Sequence, residues 1–299
     1  MPEVPSQDAL RIAVTGTRGQ VARALQALET PHEIVALGRP ALDLARPGTV
    51  APALARARPD IVVNAAAWTA VDLAESEEAA AMAVNRDGAR AVAEAAADLG
   101  VPIVHVSTDY VFDGTLDRAY IEADTPRPQG AYGRSKLAGE DAVRTANPHH
   151  AILRTAWVWD HTPESEGGRN FRNTMLRLAE TRDVLRVVAD QHGTPTHAAD
   201  IARAIVAVCE RLVADPSLAG TYHMVSEGET TWAGFAEAIF VTSRANGGPS
   251  AEVEPIATAE YPTPAPRPAN SRLDTARFCK TFAHALPHWR ERVDAGGAS

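Results

Sequence analysis

The chain has 299 residues and a formal net charge of −9 at pH 7; 45% of its residues are hydrophobic and 22% are charged. A chain of this length and composition can bury a substantial core, in one large domain or two smaller ones. The negative charge argues against broad non-specific binding to nucleic acid or to an anionic membrane surface.

The sequence carries no clear signal for a disulfide, a metal site or export. Its two cysteines, Cys209 and Cys279, are predicted to be free thiols, and its ten histidines show no convincing zinc spacing. The first ten residues lack the basic and apolar regions of a secretory signal, and no apolar run approaches the ~20 residues of a spanning helix. We therefore expect a cytoplasmic protein.

Predicted strands and helices alternate through the first 160 residues. The strands are at 11–16, 32–38, 58–66, 101–108 and 150–159, and the helices are at 17–28, 75–99 and 132–146. This alternation indicates a parallel sheet covered by helices, in the α/β class.

The pattern is looser after residue 160. A loop is predicted at 161–170, followed by a helix at 171–182, a strand that starts at residue 184 and runs into a loop, and a helix at 198–214. The proline-rich region 249–272 is predicted to be an extended loop, either a plain linker or a functional loop.

Gly16 and Gly19 lie between the first predicted strand and its helix, in the segment VTGTRGQVARAL. Glycines here allow a tight turn and a close approach of the backbone to a ligand, and the N-terminus of the following helix attracts a pyrophosphate. Many strand-to-helix turns carry glycine for geometry alone, but the first βα unit of an alternating chain is the context that the motif requires. We therefore predict a dinucleotide site, with Ala22 in place of a third glycine.

The end of the second predicted strand bears on which dinucleotide is bound. NAD-binding sites often carry an acidic residue here, whereas this chain has Gly38 followed by Arg39. A guanidinium at this point can pair with the 2′-phosphate of NADPH, although a solvated surface arginine explains the residue equally well. The sequence favours NADPH, and NADH stays possible.

Tyr132 and Lys136 lie four residues apart in the segment AYGRSKLAGE, so in a helix they share one face. The pair alone is typical of an exposed helix surface, but beside a dinucleotide site it suggests a proton donor whose pKa the cation lowers. Ser107, Thr108 and Asp109 end the fourth predicted strand, where side chains face the ligand crevice of such sheets. A hydroxyl, a tyrosine and a lysine together suit carbonyl reduction.

Eight segments resemble known protein families. Five resemble the extended short-chain dehydrogenase/reductases: GTRGQV, NAAAWTAVDLAE, STDYVFDG, YGRSK and RTAWVW. Three later segments are similar to the dTDP-4-dehydrorhamnose reductases: NFRNTMLRLAETRDVLRVVADQHGTPT, GTYHMVSEGETTWAGFAEAIF and YPTPAPRPANSRLDT.

The resemblance implies a doubly wound, Rossmann-like parallel sheet with a smaller C-terminal substrate domain. We assign residues 1–158 and 187–215 to the NAD(P)-binding domain, and residues 159–186 and 216–299 to the sugar-nucleotide-binding domain. The active site is expected between the two domains.

The resemblance also implies roles for individual residues. Tyr132 would be the general acid, Lys136 its partner and a ligand of the cofactor ribose, and Thr108 the assisting hydroxyl. The other residues implied to contact the cofactor are Gly19, Gln20, Val21, Asp43, Leu44, Ala67, Trp68 and Thr69. The residues implied to contact the sugar nucleotide are Thr108, Asp109 and Trp157.

The proline-rich loop suggests where the nucleotide diphosphate binds. Arg267 and Arg272 flank Asn270 in the segment RPANSR, and guanidinium groups donate to phosphate in pairs. The residue pattern alone favours surface arginines paired with carboxylates, whereas the resemblance favours substrate binding by these residues.

Two positions depart from the family pattern. Some members pair through magnesium held by acidic residues, one of them in the helix after the glycine loop, but here no carboxylate follows Gln20 until Glu29. Magnesium is therefore uncertain, and a monomer or a metal-free homodimer is equally open. Trp68 stands where many relatives have tyrosine or histidine, and its indole either stacks on the cofactor or packs within the protein.

The implied reaction is the NAD(P)H-dependent reduction of the C4 ketone of dTDP-4-dehydro-6-deoxy-L-mannose (dTDP-4-dehydro-L-rhamnose) to dTDP-L-rhamnose, the last step of dTDP-rhamnose biosynthesis. Two alternatives stay open. One is a sister dTDP-4-ketosugar reductase of antibiotic sugar assembly, of the dihydrostreptose synthase type. The other is a non-catalytic regulatory subunit with the same fold.

Overall fold

The computed structural model describes residues 9–295. The strands, numbered in chain order, are β1 (Arg11–Thr15), β2 (Glu33–Leu37), β3 (Ile61–Asn64), β4 (Ile103–Thr108), β5 (His150–Thr155), β6 (Val158–Trp159), β7 (Val184–Val188), β8 (His192–Gly193), β9 (Thr196–His197), β10 (Gly220–His223), β11 (Thr230–Thr231) and β12 (Glu252–Ile256). The helices are α1 (Gln20–Ala27), α2 (Val50–Ala57), α3 (Val71–Ser76), α4 (Glu78–Met82), α5 (Ala89–Asp98), α6 (Ala131–Ala146), α7 (Phe171–Ala179), α8 (Ala198–Ala214), α9 (Trp232–Ala245), α10 (Ala276–Phe282) and α11 (Trp289–Ala295). In the described part of the chain, no helix is long and apolar enough to cross a membrane.

A six-stranded sheet forms the centre of the molecule, in the order β10-β5-β4-β3-β1-β2. Every neighbouring pair in it is parallel. The chain leaves β1 toward β2 on one side and returns to β3 on the other, so the strand order reverses at β1. Such a reversal opens a ligand crevice at the carboxyl ends of the strands. The predicted doubly wound, Rossmann-like sheet is confirmed.

Both faces of this sheet are covered, which explains why its strands are short apolar runs. Leu25 of α1 and Ile205 of α8 pack on one face, in the cluster that contains Ile12. Leu54 of α2 and Val92 of α5 pack on the opposite face.

A second unit packs beside the sheet and has its own core. Residues from α9, β7 and α11 meet around Trp159, Phe235 and Trp289. Strand β12 pairs in parallel with β7 there, so the prediction of an extended loop over 249–272 is wrong at residues 252–256. The alternating pattern of EVEPI is masked by its proline and by two exposed glutamates.

The division into two domains stays a prediction. Strand β10 belongs to the large sheet and pairs with β5, although it follows the predicted boundary at residue 216. Phe278 and Phe282 of α10 also pack in the core of the large sheet. A division of the chain into two domains would therefore assign β10 and α10 to the domain of the large sheet.

Helix α6 approaches the crossover between β3 and β4 very closely. A π-helical turn, Ala83–Gly88, interrupts that crossover between α4 and α5. A Cβ atom at Gly139 of α6 would lie 2.1 Å from the carbonyl oxygen of Asn85, so only glycine fits this contact. Glycine thus sets the distance between the helix and its neighbour.

A buried ion pair fixes the same helix to the sheet. Glu140 on α6 and Arg154 on β5 are both at most 2% exposed. Two hydrogen bonds of 2.9 and 2.7 Å join them, and Ser107 Oγ donates a third to Glu140 Oε1 at 2.6 Å. Burial raises the pKa of Glu140, but the bonds from Arg154 outweigh burial and hold that pKa below its usual value.

We expect Glu140→Ala to lower the free energy of unfolding by about 3–5 kcal/mol, because it leaves the Arg154 guanidinium buried without a counter-charge. Denaturant unfolding measures the change. Glu78→Ala is the matched control, since Glu78 forms a separate, exposed ion pair with Arg134; its change should stay within about 1 kcal/mol. Equal losses in the two variants would contradict the role given to the buried pair.

Candidate active site

The predicted cofactor and catalytic residues meet at the carboxyl ends of β1, β3 and β4. The glycine loop follows β1, residues Ala67–Thr69 follow β3, and Thr108 ends β4. Helix α6 brings Tyr132 and Lys136 to the same edge. The sequence-based grouping of these residues therefore agrees with their placement.

The glycine loop is shaped for close approach by a ligand. Gly16 has φ +89°, a conformation that favours glycine, and its N–H donates to Leu37 O at 2.7 Å. A Cβ at Gly19 would meet no atom within 4 Å, so the space above it is open. Gly19 begins α1 without a side-chain cap, and no acidic residue lies in the first turn. Free N–H groups and the positive helix end suit a pyrophosphate.

The two residues that follow in α1 differ in placement. Val21 is buried in the core of the sheet. Gln20 Nε2 donates to Val158 O at 3.3 Å, and its Oε1 accepts from Asn170 Nδ2 at 3.4 Å, so its side chain is directed toward the start of α7.

Two exposed arginines lie in the loops that follow β1 and β2. Arg39 is exposed, as is Arg18 in the glycine loop, and among the described residues neither forms an ion pair. The two loops touch, because a Cβ at Gly38 would lie 3.0 Å from the side chain of Thr17. The sequence analysis missed Arg18, although its place beside Gly19 was a usable signal.

Asp43 and Leu44, predicted at the adenine end, follow the same loop. Asp43 Oδ1 accepts from the N–H of Ala45 at 3.1 Å, in a local turn. Leu44 is buried, and its Cβ would lie 2.6 Å from a Cβ added at Gly88.

Asn85 clamps the segment after β3, and the sequence analysis missed it. Its Oδ1 accepts from Trp68 N at 2.8 Å, and its Nδ2 donates to Trp68 O at 3.1 Å and to Ser135 Oγ at 2.9 Å. Ser135 Oγ in turn donates to Tyr132 O at 2.8 Å. The chain of bonds ties the segment Ala67–Thr69 to the helix that carries the tyrosine. The indole of Trp68 packs against the cluster that contains Tyr132.

The predicted catalytic residues are all nearly buried. Tyr132 is 9% exposed, Thr108 6% and Lys136 2%. The ammonium of Lys136 donates to Val106 O at 2.7 Å. Thr108 Oγ1 donates to Asp109 Oδ1 at 2.9 Å.

Burial is the largest influence on the pKa values of Tyr132 and Lys136. It raises the pKa of Tyr132, and a hydrogen bond with Thr108 only partly offsets this rise. Burial also lowers the pKa of Lys136 to about 8. Burial thus opposes ionisation of the phenol, and the expectation that Lys136 biases it toward ionisation stays a prediction.

Asp109 is 3% exposed and accepts a hydrogen bond from the Thr108 hydroxyl. Burial raises its pKa to about 6, while hydrogen bonds from Ser271 and Thr108 oppose the rise. The carboxyl is thus neutral below about pH 6, and above that pH it carries a buried charge that lowers the stability of the fold.

A cleft of about 900 Å³ opens beside these residues. Its lining includes Tyr110, Met175, Val187, Trp232 and Arg267. A neighbouring part of about 820 Å³ shares Arg267 with it and reaches Thr69. The cleft therefore connects the cofactor side of the site to the second unit. It offers apolar walls and a guanidinium, which suits a nucleotide.

The residues predicted for the nucleotide diphosphate differ in placement. Arg267 lines the cleft, where its Nη2 donates to Asp72 Oδ2 at 2.8 Å. Asn270 instead donates to Leu116 O and Arg118 O. Arg272 donates to Asn270 and to Asp117 O and pairs with Glu229. These bonds brace the loop that carries Asn270 and Arg272, and of the three residues only Arg267 lines the cleft.

Trp157 follows β5 at the same edge of the sheet. Its indole stacks on that of Trp232, with ring centroids 3.6 Å apart and planes 12° apart. No group of three or more acidic, histidine or cysteine side chains with metal-binding geometry occurs within residues 9–295.

Comparison with known proteins gives consistent matches over nearly the whole chain. Residues 10–296 match the family model described as the RmlD substrate binding domain. A dTDP-4-dehydrorhamnose reductase of Sinorhizobium fredii is 52% identical over 285 residues, which cover 94% of this chain and 95% of that protein. The enzyme of the same name from Escherichia coli K12 is 41% identical over 291 residues, 95% and 96% of the two chains.

A crystal structure of dTDP-4-dehydrorhamnose reductase from Bacillus anthracis, in complex with NADP, has the same fold. It superposes with a TM-score of 0.86 at 35% identity, and the match covers 96% of this chain and 98% of that chain.

We expect Asp109→Asn to stabilise the protein above pH 6. Because folding raises the pKa of this carboxyl from 3.8 to about 6, its stabilising effect is complete below pH 3.8 and is lost as the pH rises through 6. The amide cannot ionise, and the difference from wild type should grow to at most about 3 kcal/mol between pH 4 and pH 7.

Denaturant unfolding at pH 4, 6 and 8 measures this effect. The exposed neighbour Asp117 supplies the control variant, Asp117→Asn. A difference between Asp109→Asn and wild type that stays constant across the three pH values would show that Asp109 does not titrate as stated.

Proposed function

The chain belongs to the dTDP-4-dehydrorhamnose reductase family, and we propose that it reduces the C4 ketone of dTDP-4-dehydro-L-rhamnose to dTDP-L-rhamnose with NADPH or NADH. One observation carries the proposal. The buried set of Thr108, Tyr132 and Lys136 lies at the sheet edge that also holds an uncapped, open glycine loop.

The residues at this edge suit a reduced nicotinamide dinucleotide. Gly16 and Gly19 leave room for the pyrophosphate at the start of α1. Lys136 is proposed to hold the nicotinamide ribose, with Ala67, Trp68 and Thr69 beside it. When bound, the dinucleotide supplies a hydride to the ketone carbon and becomes oxidised.

The proton for the new alkoxide is proposed to come from the Tyr132 phenol. Because burial raises its pKa, this phenol is fully protonated at neutral pH and is available as a donor. Thr108 Oγ is proposed to orient the carbonyl oxygen toward the phenol. Lys136, with a pKa of about 8, provides a cation that stabilises the phenolate left behind.

The nucleotide part of the substrate is proposed to occupy the cleft of the second unit. Arg267 offers its guanidinium to the diphosphate, although Asp72 competes for it at 2.8 Å. Asp109 and Trp157 are proposed to contact the sugar, since both follow strands that end at this edge.

The alternatives raised by the sequence are not favoured. The relatives that match almost full length are named dTDP-4-dehydrorhamnose reductases, which speaks against a sister reductase. A non-catalytic subunit would not need Tyr132 and Lys136, and both are present and buried.

Two further proposals concern the setting of the enzyme. We propose that it works in the cytoplasm, because both proposed reactants are water-soluble nucleotides. We also propose a monomer or a metal-free homodimer, since α1 carries no carboxylate to hold a bridging magnesium. Sedimentation with and without a chelator tests the second proposal, which a chelator-sensitive dimer would exclude.

The reaction is tested by a product assay. Purified protein receives enzymatically prepared dTDP-4-dehydro-L-rhamnose with NADPH or NADH, and NMR identifies the product. Formation of dTDP-L-rhamnose supports the proposal. A different product sugar would indicate the sister reductase, and no oxidation of either cofactor by folded protein would remove the proposed activity.

Tyr132→Phe should bind NADPH as the wild type does but lose turnover by about 10²–10⁴-fold, because only the proton donor is removed. Steady-state kinetics and a cofactor titration measure the two effects. The matched control is Tyr222→Phe, whose hydroxyl bonds to Leu218 O away from the site. Near-normal turnover in Tyr132→Phe would remove the proposed proton donor.

Arg39→Ala should raise the KM for NADPH by about tenfold and leave the KM for NADH unchanged, because it removes one charge-assisted contact to the 2′-phosphate. Arg18→Ala should act in the same direction, and the double variant should lose most of the preference. The exposed Arg56 on α2 provides the control variant, Arg56→Ala. If the KM values for NADPH and NADH rise equally, the two arginines do not bind the 2′-phosphate.

A further inference from the structure

We propose that Gly193 and Trp232 are positioning residues that hold the Trp157 indole as a fixed wall between the catalytic edge and the nucleotide cleft. The proposal rests on the proposed function and concerns how the same site fixes the sugar ring. Four observations carry it: the backbone of Trp157, its stacking partner, its contact with Gly193 and its place along the sheet.

The backbone of Trp157 is strained. Its φ is +46°, a left-handed conformation that bulky side chains rarely adopt and that persists only where the surroundings enforce it. This residue also divides the predicted strand 150–159 into β5 and β6. The N–H of Thr196 donates to Trp157 O at 3.1 Å, which fixes the turned peptide against β9. Strain of this kind is concentrated at sites that hold ligands.

The indole of Trp157 is clamped from one face by Trp232. A centroid distance of 3.6 Å at 12° is a close, nearly face-to-face stack, tighter than the offset pairs that aromatic rings prefer. Trp232 is itself fixed, because its Nε1 donates to Gln191 Oε1 at 3.2 Å and Gln191 Nε2 donates to Thr258 Oγ1 at 3.0 Å.

The backbone of Gly193 packs directly against the indole of Trp157. A Cβ at this position would lie 2.5 Å from Cε2 of Trp157, a distance that real Cβ atoms do not adopt. Gly193 pairs with Thr230 in the short β8–β11 ladder, two residues before Trp232. The backbone that carries the stacking partner is therefore joined to the backbone that leaves room for the indole.

The Trp157–Trp232 stack extends from the end of β4 to the cleft of the second unit. Thr155, two residues before Trp157, pairs with Thr108 across β4 and β5, so Trp157 leaves the sheet beside the catalytic hydroxyl. Trp232 lines the 900 Å³ cleft at the other end. Two stacked indoles thus reach from the reacting end to the nucleotide end. An indole fixed in this place limits the positions that the sugar ring can occupy.

The first test is Gly193→Ala, whose added methyl group forces the Trp157 indole to shift. We expect kcat/KM for the ketosugar to fall by about 100-fold, since a displacement of about 1 Å disturbs the reacting geometry. The dissociation constant for NADPH should not change. Gly48→Ala is the matched control, because a Cβ at Gly48 meets nothing within 4 Å.

A second measurement reads the stack directly. Closely stacked indoles couple their electronic transitions, so the wild type should show a tryptophan exciton couplet in circular dichroism. Gly193→Ala and Trp232→Leu should both lose the couplet. Trp232→Phe keeps a flat ring against Trp157 and should recover most of the kcat/KM that Trp232→Leu loses.

The outcomes separate the two proposals. If the wild type does not reduce the ketosugar, the proposed function fails, and the couplet together with calorimetric binding of dTDP still reports on the stack. Folded Gly193→Ala with wild-type kinetics and an intact couplet would overturn the positioning role. So would equal losses in Trp232→Phe and Trp232→Leu, since a stacking role predicts rescue by the conservative variant.

Discussion

The distance between helix α6 and the central sheet is the constraint on which the whole site depends. Tyr132 and Lys136 lie on the helix, whereas Thr108 lies on β4. The three side chains can therefore meet only if the helix is held at a fixed distance from the sheet. The Glu140–Arg154 pair bonds the helix to β5, and Gly139 lets it approach the π-helical turn at Asn85. The groups proposed to react are therefore placed by regular elements and not by flexible loops, which favours a fixed geometry.

The same close packing sets the charge state of the site. Water is excluded from the phenol of Tyr132, the ammonium of Lys136 and the carboxyl of Asp109. Burial therefore raises the pKa of Tyr132 and Asp109 and lowers the pKa of Lys136, which favours the neutral form of each. A helical spacing of four residues indicates that a cation is near the phenol, but it carries no information about the surrounding solvent. This is why sequence reasoning assigned the larger effect to the cation.

Much of the fold and the centre of the site could be predicted from local patterns. Apolar runs of four to six residues and the glycine turn are encoded in consecutive positions, so β1, β3, β4 and the proposed cofactor loop could be predicted. Strand β10 was not, because its four residues are defined by pairing with β5, about 70 positions earlier in the chain. Asn85 lies in an alanine-rich crossover with no motif, and the structural bonds of Asn270 and Arg272 depend on distant carbonyl groups.

The pairing of β10 with β5 bears on how the protein can be made. During synthesis the edge of β5 stays open, with a row of unpaired N–H and C=O groups, until residues 220–223 have been added. The apolar face over β1 also waits for α8 and for Phe278 and Phe282. A fragment that ends near residue 158 would therefore expose the unpaired edge of β5 and the apolar residues that α8 and α10 cover in the whole chain. The core of the large sheet is therefore continuous in space but not along the polypeptide.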